Sequence, residues 1–217
     1  MKLHLFTFNA FQENSYVLVN ENKEAIFIDP GMMDQEEENV MLNFISKNDL
    51  TPLFILNTHC HIDHILGVKF LVEKFQIPFY AHQHETVMIE RSASVSLMYG
   101  IPYSGCPLPD RFIDESDSFE FGKDKIELLY VPGHSPGHLA LVIHSQRMVI
   151  GGDVLFKGSV GRVDLPGCNA QDLISSIQGK IYKLPNDYSV FPGHGEATTI
   201  GYEKENNYFV SEKTVRL

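Results

Sequence analysis

Short apolar runs alternate along this chain with longer amphipathic segments. The short runs predict β-strands, and they are listed here by number: residues 25–28, 53–56, 125–131, 139–144, 147–150 and 189–191. At the start of the chain Leu3 and Leu5 alternate with polar neighbours, and after a predicted turn at residues 12–14 a strand resumes over residues 16–19. The chain is therefore predicted to begin with two strands joined by a turn.

The amphipathic segments carry apolar residues at helical spacing, as Val40, Met41, Phe44 and Ile45 do. Helices are predicted over residues 35–47, 65–75, 84–99, 170–180 and 200–209. Residues 101–110 contain three prolines and a glycine, which indicates a surface loop. This order predicts a layered α/β protein rather than a simple doubly wound sheet.

The length and composition add limits to this picture. The chain has 217 residues, with 43% hydrophobic and 21% charged, and no repeat or linker divides it, so we predict one domain over residues 1–217. A net charge of −11 argues against binding to a nucleic acid backbone. No apolar run approaches the roughly 20 residues that span a bilayer, and the first residues lack a signal peptide. Three unpatterned cysteines suggest no disulfide framework, and the expected setting is the cytoplasm, without a membrane partner.

The densest chemistry lies in residues 58–64, Thr-His-Cys-His-Ile-Asp-His, directly after an apolar run. Imidazole and carboxylate are natural ligands of zinc and similar ions, so His59, His61, Asp63 and His64 are candidate ligands. The alternative is a solvated polar loop, which would leave three neighbouring imidazoles unexplained. We expect Cys60, flanked by two candidate ligands, to face the core rather than the metal.

Three further strands end in a glycine-containing turn followed by a candidate ligand. These ligands are His134 after Pro-Gly, Asp153 after Gly-Gly, and His194 after Pro-Gly. Each loop alone is weak evidence, because a turn with one histidine is common. Four such loops in one chain favour a single site assembled at strand ends.

Other polar residues are weaker candidates. Asp29 is either an acceptor for the N–H of a ligand imidazole or a simple turn residue, and His138 is expected near the site as a supporting residue. His4, His82, His84 and His144 lack a comparable sequence frame and are expected to be structural.

The motif His59-x-His61-x-Asp63-His64, followed by His134, Asp153 and His194, resembles the metal-binding motif of the metallo-β-lactamase superfamily over essentially the whole chain. Residues 156–167 and 192–201 resemble those of the glyoxalase II-like (hydroxyacylglutathione hydrolase-like) hydrolases, among their short bacterial members. The resemblance implies an α/β fold of the αββα type, with two mixed sheets flanked by helices. It also implies a hydrolase of thioesters such as S-lactoylglutathione.

The resemblance further implies a role for each ligand. His59, His61 and His134 would hold one divalent ion, Asp63, His64 and His194 would hold a second, and Asp153 would bridge both. The ligand set favours zinc, and iron or manganese also suit it. Asp63 and Asp153 would orient a metal-bridging hydroxide that attacks a small-molecule thioester.

The substrate preference is less closely specified. Only 23 residues follow His194, so we expect no C-terminal helical glutathione-binding domain. Residues 161–164 lack the Lys-x-Tyr pair of classical glyoxalase II, and Gly-Glu-Ala follows His194 where that enzyme places a tyrosine. Arg162 is a candidate to bind a substrate carboxylate, and a salt bridge with Asp164 is the alternative.

Other activities share this fold. The main alternative is a mononuclear iron persulfide dioxygenase that uses the equivalents of His59, His134 and Asp153. A phosphodiesterase or nuclease, and a non-catalytic metal-binding module, are weaker alternatives.

Overall fold

The computed structural model describes residues 1–211 of the 217-residue chain. Their contacts divide into two compact units, one formed by residues 1–113 with 121–123, and the other by residues 114–120 with 124–211. The predicted single domain over residues 1–217 stays a prediction. No helix among residues 1–211 is both long and apolar enough to cross a bilayer.

The first unit is built on a mixed six-stranded sheet with its strands in chain order. They are β1 (Lys2–Phe8), β2 (Glu13–Val19), β3 (Glu24–Ile28), β4 (Thr51–Leu56), β5 (Phe79–Ala81) and β6 (Arg111–Phe112). The first two pairings are antiparallel, and the pairings from β3 to β6 are parallel. Because β3 and β4 are parallel neighbours, the loops after them leave the sheet at the same edge.

Four helices accompany this sheet: α1 (Gln35–Asn48), α2 (Ile62–Ile65), α3 (Val68–Phe75) and α4 (Thr86–Tyr99), with a short 3-10 turn at Gln83–Glu85. Asp34 caps α1, because its side chain accepts from the backbone N–H groups of Glu36 and Glu37. The unit has its own core, in which Phe27, Ile55 and Leu71 are fully or almost fully buried.

The second unit is built on the other mixed six-stranded sheet. Its members in chain order are β7 (Ser118–Phe121), β8 (Asp124–Tyr130), β9 (Leu139–Ile143), β10 (Met148–Gly152), β13 (Ser189–Pro192) and β14 (Thr198–Thr199). A separate hairpin joins β11 (Leu155–Phe156) to β12 (Ser159–Val160), and the helices are α5 (Ala170–Gly179) and α6 (Ile200–Asn206). Val131, Val149 and Ile177 belong to its core.

Strand direction brings three loops of the second unit to one edge. β10 is parallel to β13, and β8 has the same direction as β10 because each is antiparallel to β9. The chain therefore leaves β8, β10 and β13 at the same edge of the sheet. These strands precede His134, Asp153 and His194, respectively.

The prediction of an α/β fold with two mixed sheets and flanking helices is confirmed. Three local predictions were wrong. The helix predicted over residues 65–75 is interrupted at Gly67, whose N–H donates to the carbonyl of Pro30 at 2.8 Å and whose added Cβ would lie 2.6 Å from the Met32 side chain. The Gly67 backbone is therefore packed against the loop after β3, where a side chain at this position would be crowded, and α2 and α3 form as separate helices.

The other two errors concern element ends. Glu13, predicted within a turn, begins β2 and is buried, and the preceding Gln12 makes the turn with a φ of 55°. The last helix ends at Asn206 rather than at residue 209. Asn207 is extended with ψ of 116°, and its buried side chain donates to the Ser159 carbonyl and to the Glu203 carboxylate.

Candidate metal centre

The loop after β4 gathers four candidate ligands of the first unit. His59 and His64 are fully buried, whereas His61 and Asp63 are partly exposed. The imidazoles of His59 and His64 lie 4.1 Å apart and those of His59 and His61 4.9 Å apart, measured between ring centroids. Asn57 closes the loop, because its Nδ2 donates to the carbonyls of His59 at 3.2 Å and His64 at 2.8 Å.

Asp29 determines which nitrogen of two imidazoles carries a proton. Its carboxylate accepts from the Thr58 backbone N–H at 2.7 Å and from the Thr58 hydroxyl at 2.5 Å, and its Oδ2 lies 3.1 Å from His64 Nδ1. Since a carboxylate only accepts, His64 Nδ1 is the donor. The Thr58 hydroxyl donates its hydrogen to Asp29, so toward His59 Nδ1, 3.0 Å away, it acts as an acceptor. Both imidazoles therefore present an Nε2 lone pair.

Asp29 adopts a left-handed backbone conformation, with φ of 48°, to make these bonds. Its side chain is buried and both of its oxygens accept hydrogen bonds within the network. Although its carboxylate lies within 4.8 Å of nitrogens of His59 and His64, its bonds make it a support for these imidazoles.

Cys60 points away from the ligand chemistry, as predicted. It is fully buried in the core of the first unit, and burial raises the pKa of its thiol well above the usual value, with the Glu85 carboxylate adding to the shift. Burial and the raised pKa both disfavour a thiolate at this position. The Cys60 backbone N–H donates to Glu85 Oε2 at 2.7 Å, which fixes the peptide bond between His59 and Cys60.

The second unit brings its three candidate ligands together. Asp153 Oδ2 lies 3.5 Å from His134 Nε2 and 3.5 Å from His194 Nε2. His134 is buried, and the His194 side chain is 28% exposed. The set therefore has a buried side and a side open to solvent.

The Arg162 backbone sets the tautomer of His134. Nδ1 of His134 lies 2.9 Å from the Arg162 carbonyl oxygen, and a carbonyl only accepts, so Nδ1 carries the proton and Nε2 presents its lone pair. The Arg162 side chain is exposed and forms a two-pronged ion pair with Asp164, at 2.7 and 2.8 Å. This pairing lowers the pKa of Asp164 to about 2. The structure thus contains the predicted salt bridge between Arg162 and Asp164, and the substrate-binding role of Arg162 stays a prediction.

His138 supports the backbone of Asp153. It is fully buried, and its Nε2 accepts from the Asp153 backbone N–H at 3.1 Å. That bond occupies the Nε2 lone pair, so His138 holds a ligand in place instead of presenting Nε2 to a metal.

The donor set fits metal ions. In its neutral tautomer His134 presents the Nε2 lone pair to an Asp153 carboxylate oxygen 3.5 Å away, and neutral His64 presents Nε2 to Asp63 Oδ2 at 3.7 Å in the same way. Two such electron-rich atoms repel at this distance unless a proton or a metal cation lies between them. Imidazole and carboxylate donors at such spacing are the ligands that zinc, iron and manganese take.

Several supporting residues were not predicted from the sequence. Thr58, Glu13 and Glu85 are buried polar residues that hold the loops around the ligands. The Glu13 carboxylate accepts from Ser15, whose hydroxyl in turn accepts from the Gly31 N–H at 2.8 Å. Glu13 falls in the turn predicted from the sequence at residues 12–14, so its position at the start of β2 is evident only from the structure.

Comparison with known proteins agrees with this chemistry. A sequence profile of the Metallo-beta-lactamase superfamily matches residues 8–194. Hydroxyacylglutathione hydrolase GloC of Haemophilus influenzae is 33% identical over 216 residues, which cover 99% of this chain and 100% of that protein. An α/β fold whose strand ends carry these histidines and carboxylates defines a metallo-hydrolase. The chain belongs to the metallo-β-lactamase superfamily.

Two solved structures show the same fold at higher sequence identity. The crystal structure of BLEG-1 B3 metallo-beta-lactamase is 35% identical, with a TM-score of 0.88, over 96% of this chain and 99% of that one. The crystal structure of TTHA1623 in a di-iron-bound form is 36% identical, with a TM-score of 0.85, over 95% and 99%. The family and fold predicted from the sequence are confirmed.

Proposed function

We propose that this protein is a dinuclear metal hydrolase that cleaves thioesters of the hydroxyacylglutathione type. The observation that carries the metal assignment is the pair of imidazole–carboxylate contacts, His134 with Asp153 and His64 with Asp63, in which a neutral imidazole and the carboxylate both direct lone pairs at the space between them. The thioester assignment is supported by the 33% identity to hydroxyacylglutathione hydrolase GloC over the full length of both chains.

In this proposal His59, His61 and His134 hold one ion, and Asp63, His64 and His194 hold the other, while Asp153 contributes to both. The di-iron form of TTHA1623 supports two ions, and zinc, iron and manganese all suit the ligands. When bound, the two ions would lower the pKa of a water molecule so that hydroxide exists near neutral pH, and would polarise the thioester carbonyl.

The side chains around the site would orient the histidine ligands and the attacking water. The Nδ1–H groups of His64 and His134 donate to Asp29 and to the Arg162 carbonyl, so in the neutral rings Nε2 is the nitrogen that presents a lone pair. Asp63 and Asp153 carry the carboxylate oxygens that would accept the proton of the attacking water and orient the resulting nucleophile. The Cys60 thiol is fully buried in the core and its pKa is raised, so the proposed nucleophile is metal-bound hydroxide rather than this thiol.

Arg162 is proposed as the contact for a carboxylate on the substrate. Its guanidinium is exposed and already holds Asp164 in a two-pronged pair, so a substrate carboxylate would replace Asp164 in the same geometry. Arg162→Met is expected to raise KM for carboxylate-bearing thioesters with little change in kcat. Thioesters that lack a carboxylate serve as the control substrates. An equal rise in KM for thioesters with and without a carboxylate would contradict this role.

The test of the function is elemental analysis of protein purified without added metal, combined with turnover assays. We expect two ions per chain and hydrolysis of S-lactoylglutathione. His59→Ala and Asp153→Ala are expected to lose metal and activity together, whereas His144→Ala, which changes an imidazole bonded to Tyr188 at 2.8 Å, keeps both.

Other outcomes identify other functions. Two bound ions without turnover of any thioester would refute the thioester assignment. Hydrolysis of a cephalosporin instead would point to a β-lactamase, which is the activity named for BLEG-1. One iron per chain with oxygen uptake on glutathione persulfide would favour the dioxygenase alternative.

A further inference from the structure

The turn that carries His134 is held along its whole length by one segment of the second unit. Three consecutive carbonyls accept from three donors of that segment: Pro132 from the Ser176 hydroxyl at 2.7 Å, Gly133 from the Asn169 N–H at 2.7 Å, and His134 from the Cys168 thiol at 2.8 Å. The donors span the start of α5, where Asn169 is the N-cap.

The contact is close as well as polar. Gly133 has a φ of 136°, and a Cβ at this position would lie 2.2 Å from the backbone nitrogen of Leu173 in α5. The turn therefore lies directly against the helix backbone, which only a glycine permits. A displacement of α5 would move the turn with it, because packed elements transmit small shifts.

Ser176 is an unusual residue for its place in α5. Its side chain is buried between the core residues Leu173 and Ile177, whereas its neighbour Ser175 is exposed on the opposite face. A core-facing helix position normally carries an apolar side chain. The hydroxyl at this position satisfies the Pro132 carbonyl, which a strand-ending turn would otherwise leave to solvent.

The bonds act on the imidazole from two sides. The three carbonyl contacts fix the backbone of the turn, and the Arg162 carbonyl fixes the ring through Nδ1. His134 Nε2 is consequently held at 3.5 Å from Asp153. Partners of this kind set the affinity of a metal site although they do not touch the ion.

We propose that Ser176 and Cys168 are positioning residues for His134, and that they set the affinity for the ion that His134 binds. The proposal rests on the proposed metal ligands. It makes no use of the thioester assignment.

The experiment measures metal affinity by chelator competition, together with the visible spectrum of the Co²⁺-loaded protein. Ser176→Ala and Cys168→Ala are each expected to lower the affinity for one of the two ions about 10-fold and to leave the affinity for the other unchanged. Each is also expected to alter the Co²⁺ absorption bands. Cys168→Ser keeps a donor toward the His134 carbonyl and is expected to retain wild-type affinity. Ser175→Ala, on the exposed face of the same helix, is the matched control and should change nothing.

Several results would overturn the proposal. Affinities of Ser176→Ala and Cys168→Ala equal to the wild type would do so. An equal loss of affinity for both ions, together with a lower melting temperature of the metal-free protein, would also overturn the proposal, since that result indicates general destabilisation. A Cys168→Ser variant as weak as the alanine variant would overturn the role of the Cys168 donor. A wild-type protein that binds two ions and fails to hydrolyse thioesters contradicts the proposed function alone.

Discussion

Asp29 Oδ2 accepts a hydrogen bond from His64 Nδ1 at 3.1 Å, and this bond joins the loop after β3 to the ligand loop after β4. The same carboxylate accepts from the backbone and the hydroxyl of Thr58. A single buried acid therefore sets the tautomers of His64 and, through Thr58, of His59.

Asp29→Asn is expected to weaken metal binding about 10- to 100-fold, because the amide removes the negative charge and one of the acceptor oxygens from this network. Asparagine tolerates the left-handed backbone at this position, so the loop conformation is retained. Chelator competition measures the effect. Asp49→Asn is the matched control, since Asp49 is also left-handed, with φ of 55°, and is exposed. Equal affinities of the two variants would contradict the role of Asp29.

Gly161 is predicted to be irreplaceable for the arrangement of the ligands in the second unit. A Cβ at this position would lie 1.9 Å from the Asp153 carbonyl oxygen and 3.0 Å from His134 Nδ1. Gly161→Ala should displace Asp153, reduce metal binding at least about 10-fold and lower the free energy of unfolding by about 1–3 kcal/mol. Metal titration and urea unfolding measure these changes.

The control for that substitution is Gly179→Ala at the end of α5, where an added Cβ meets nothing within 4 Å. It should leave metal binding unchanged and stabilise the protein by up to about 1 kcal/mol, because alanine favours a helix more than glycine does. If Gly161→Ala behaved like Gly179→Ala, the close contact with Asp153 would be without consequence.

Glu85 is predicted to stabilise the ligand loop through the Cys60 N–H. Glu85→Ala leaves that buried N–H without its acceptor, so the free energy of unfolding should fall by about 1–3 kcal/mol. Glu85→Gln keeps an acceptor oxygen and should lower the free energy of unfolding by less. Urea unfolding of the metal-free protein measures both. Glu90→Ala, at an exposed position of α4, should stay within about 0.5 kcal/mol of the wild type. A Glu85→Ala variant as stable as Glu90→Ala would rule out this role.

Glu13 is predicted to make the stability of the metal-free protein depend on pH. Burial raises its pKa well above the usual 4.5, so the folded protein retains a proton that the unfolded chain releases. This contribution to stability is fully present below the unfolded pKa of 4.5 and is lost as pH rises toward the folded pKa, with a slope of up to about 1.4 kcal/mol per pH unit.

Unfolding of wild type and Glu13→Gln from pH 4 upward tests this sign. Glutamine does not titrate, so the stability of the wild type relative to the variant should fall with rising pH. Parallel pH profiles for the two proteins would show that the folded and unfolded pKa values of Glu13 are the same.

The sequence was sufficient for the family, the fold class and the list of candidate ligands. Metal ligands are few in chemical type, and the candidates stand directly after predicted strands, so His59, His134, Asp153 and His194 could be selected as candidate ligands from local pattern alone. The α/β order was also visible, because strands and helices bury apolar residues with different periods.

Only the tertiary structure decided what holds these ligands. Asp29 and His64 are 35 residues apart, and Ser176 and Pro132 are 44 apart, so neither bond leaves a local pattern. The break at Gly67 likewise depends on the approach of Pro30 and Met32. The period of apolar residues along the sequence indicates which face of a helix or strand is buried. The partner of a buried polar atom is set by strand pairing and by the close approach of loops, and these arise from contacts that are distant along the chain.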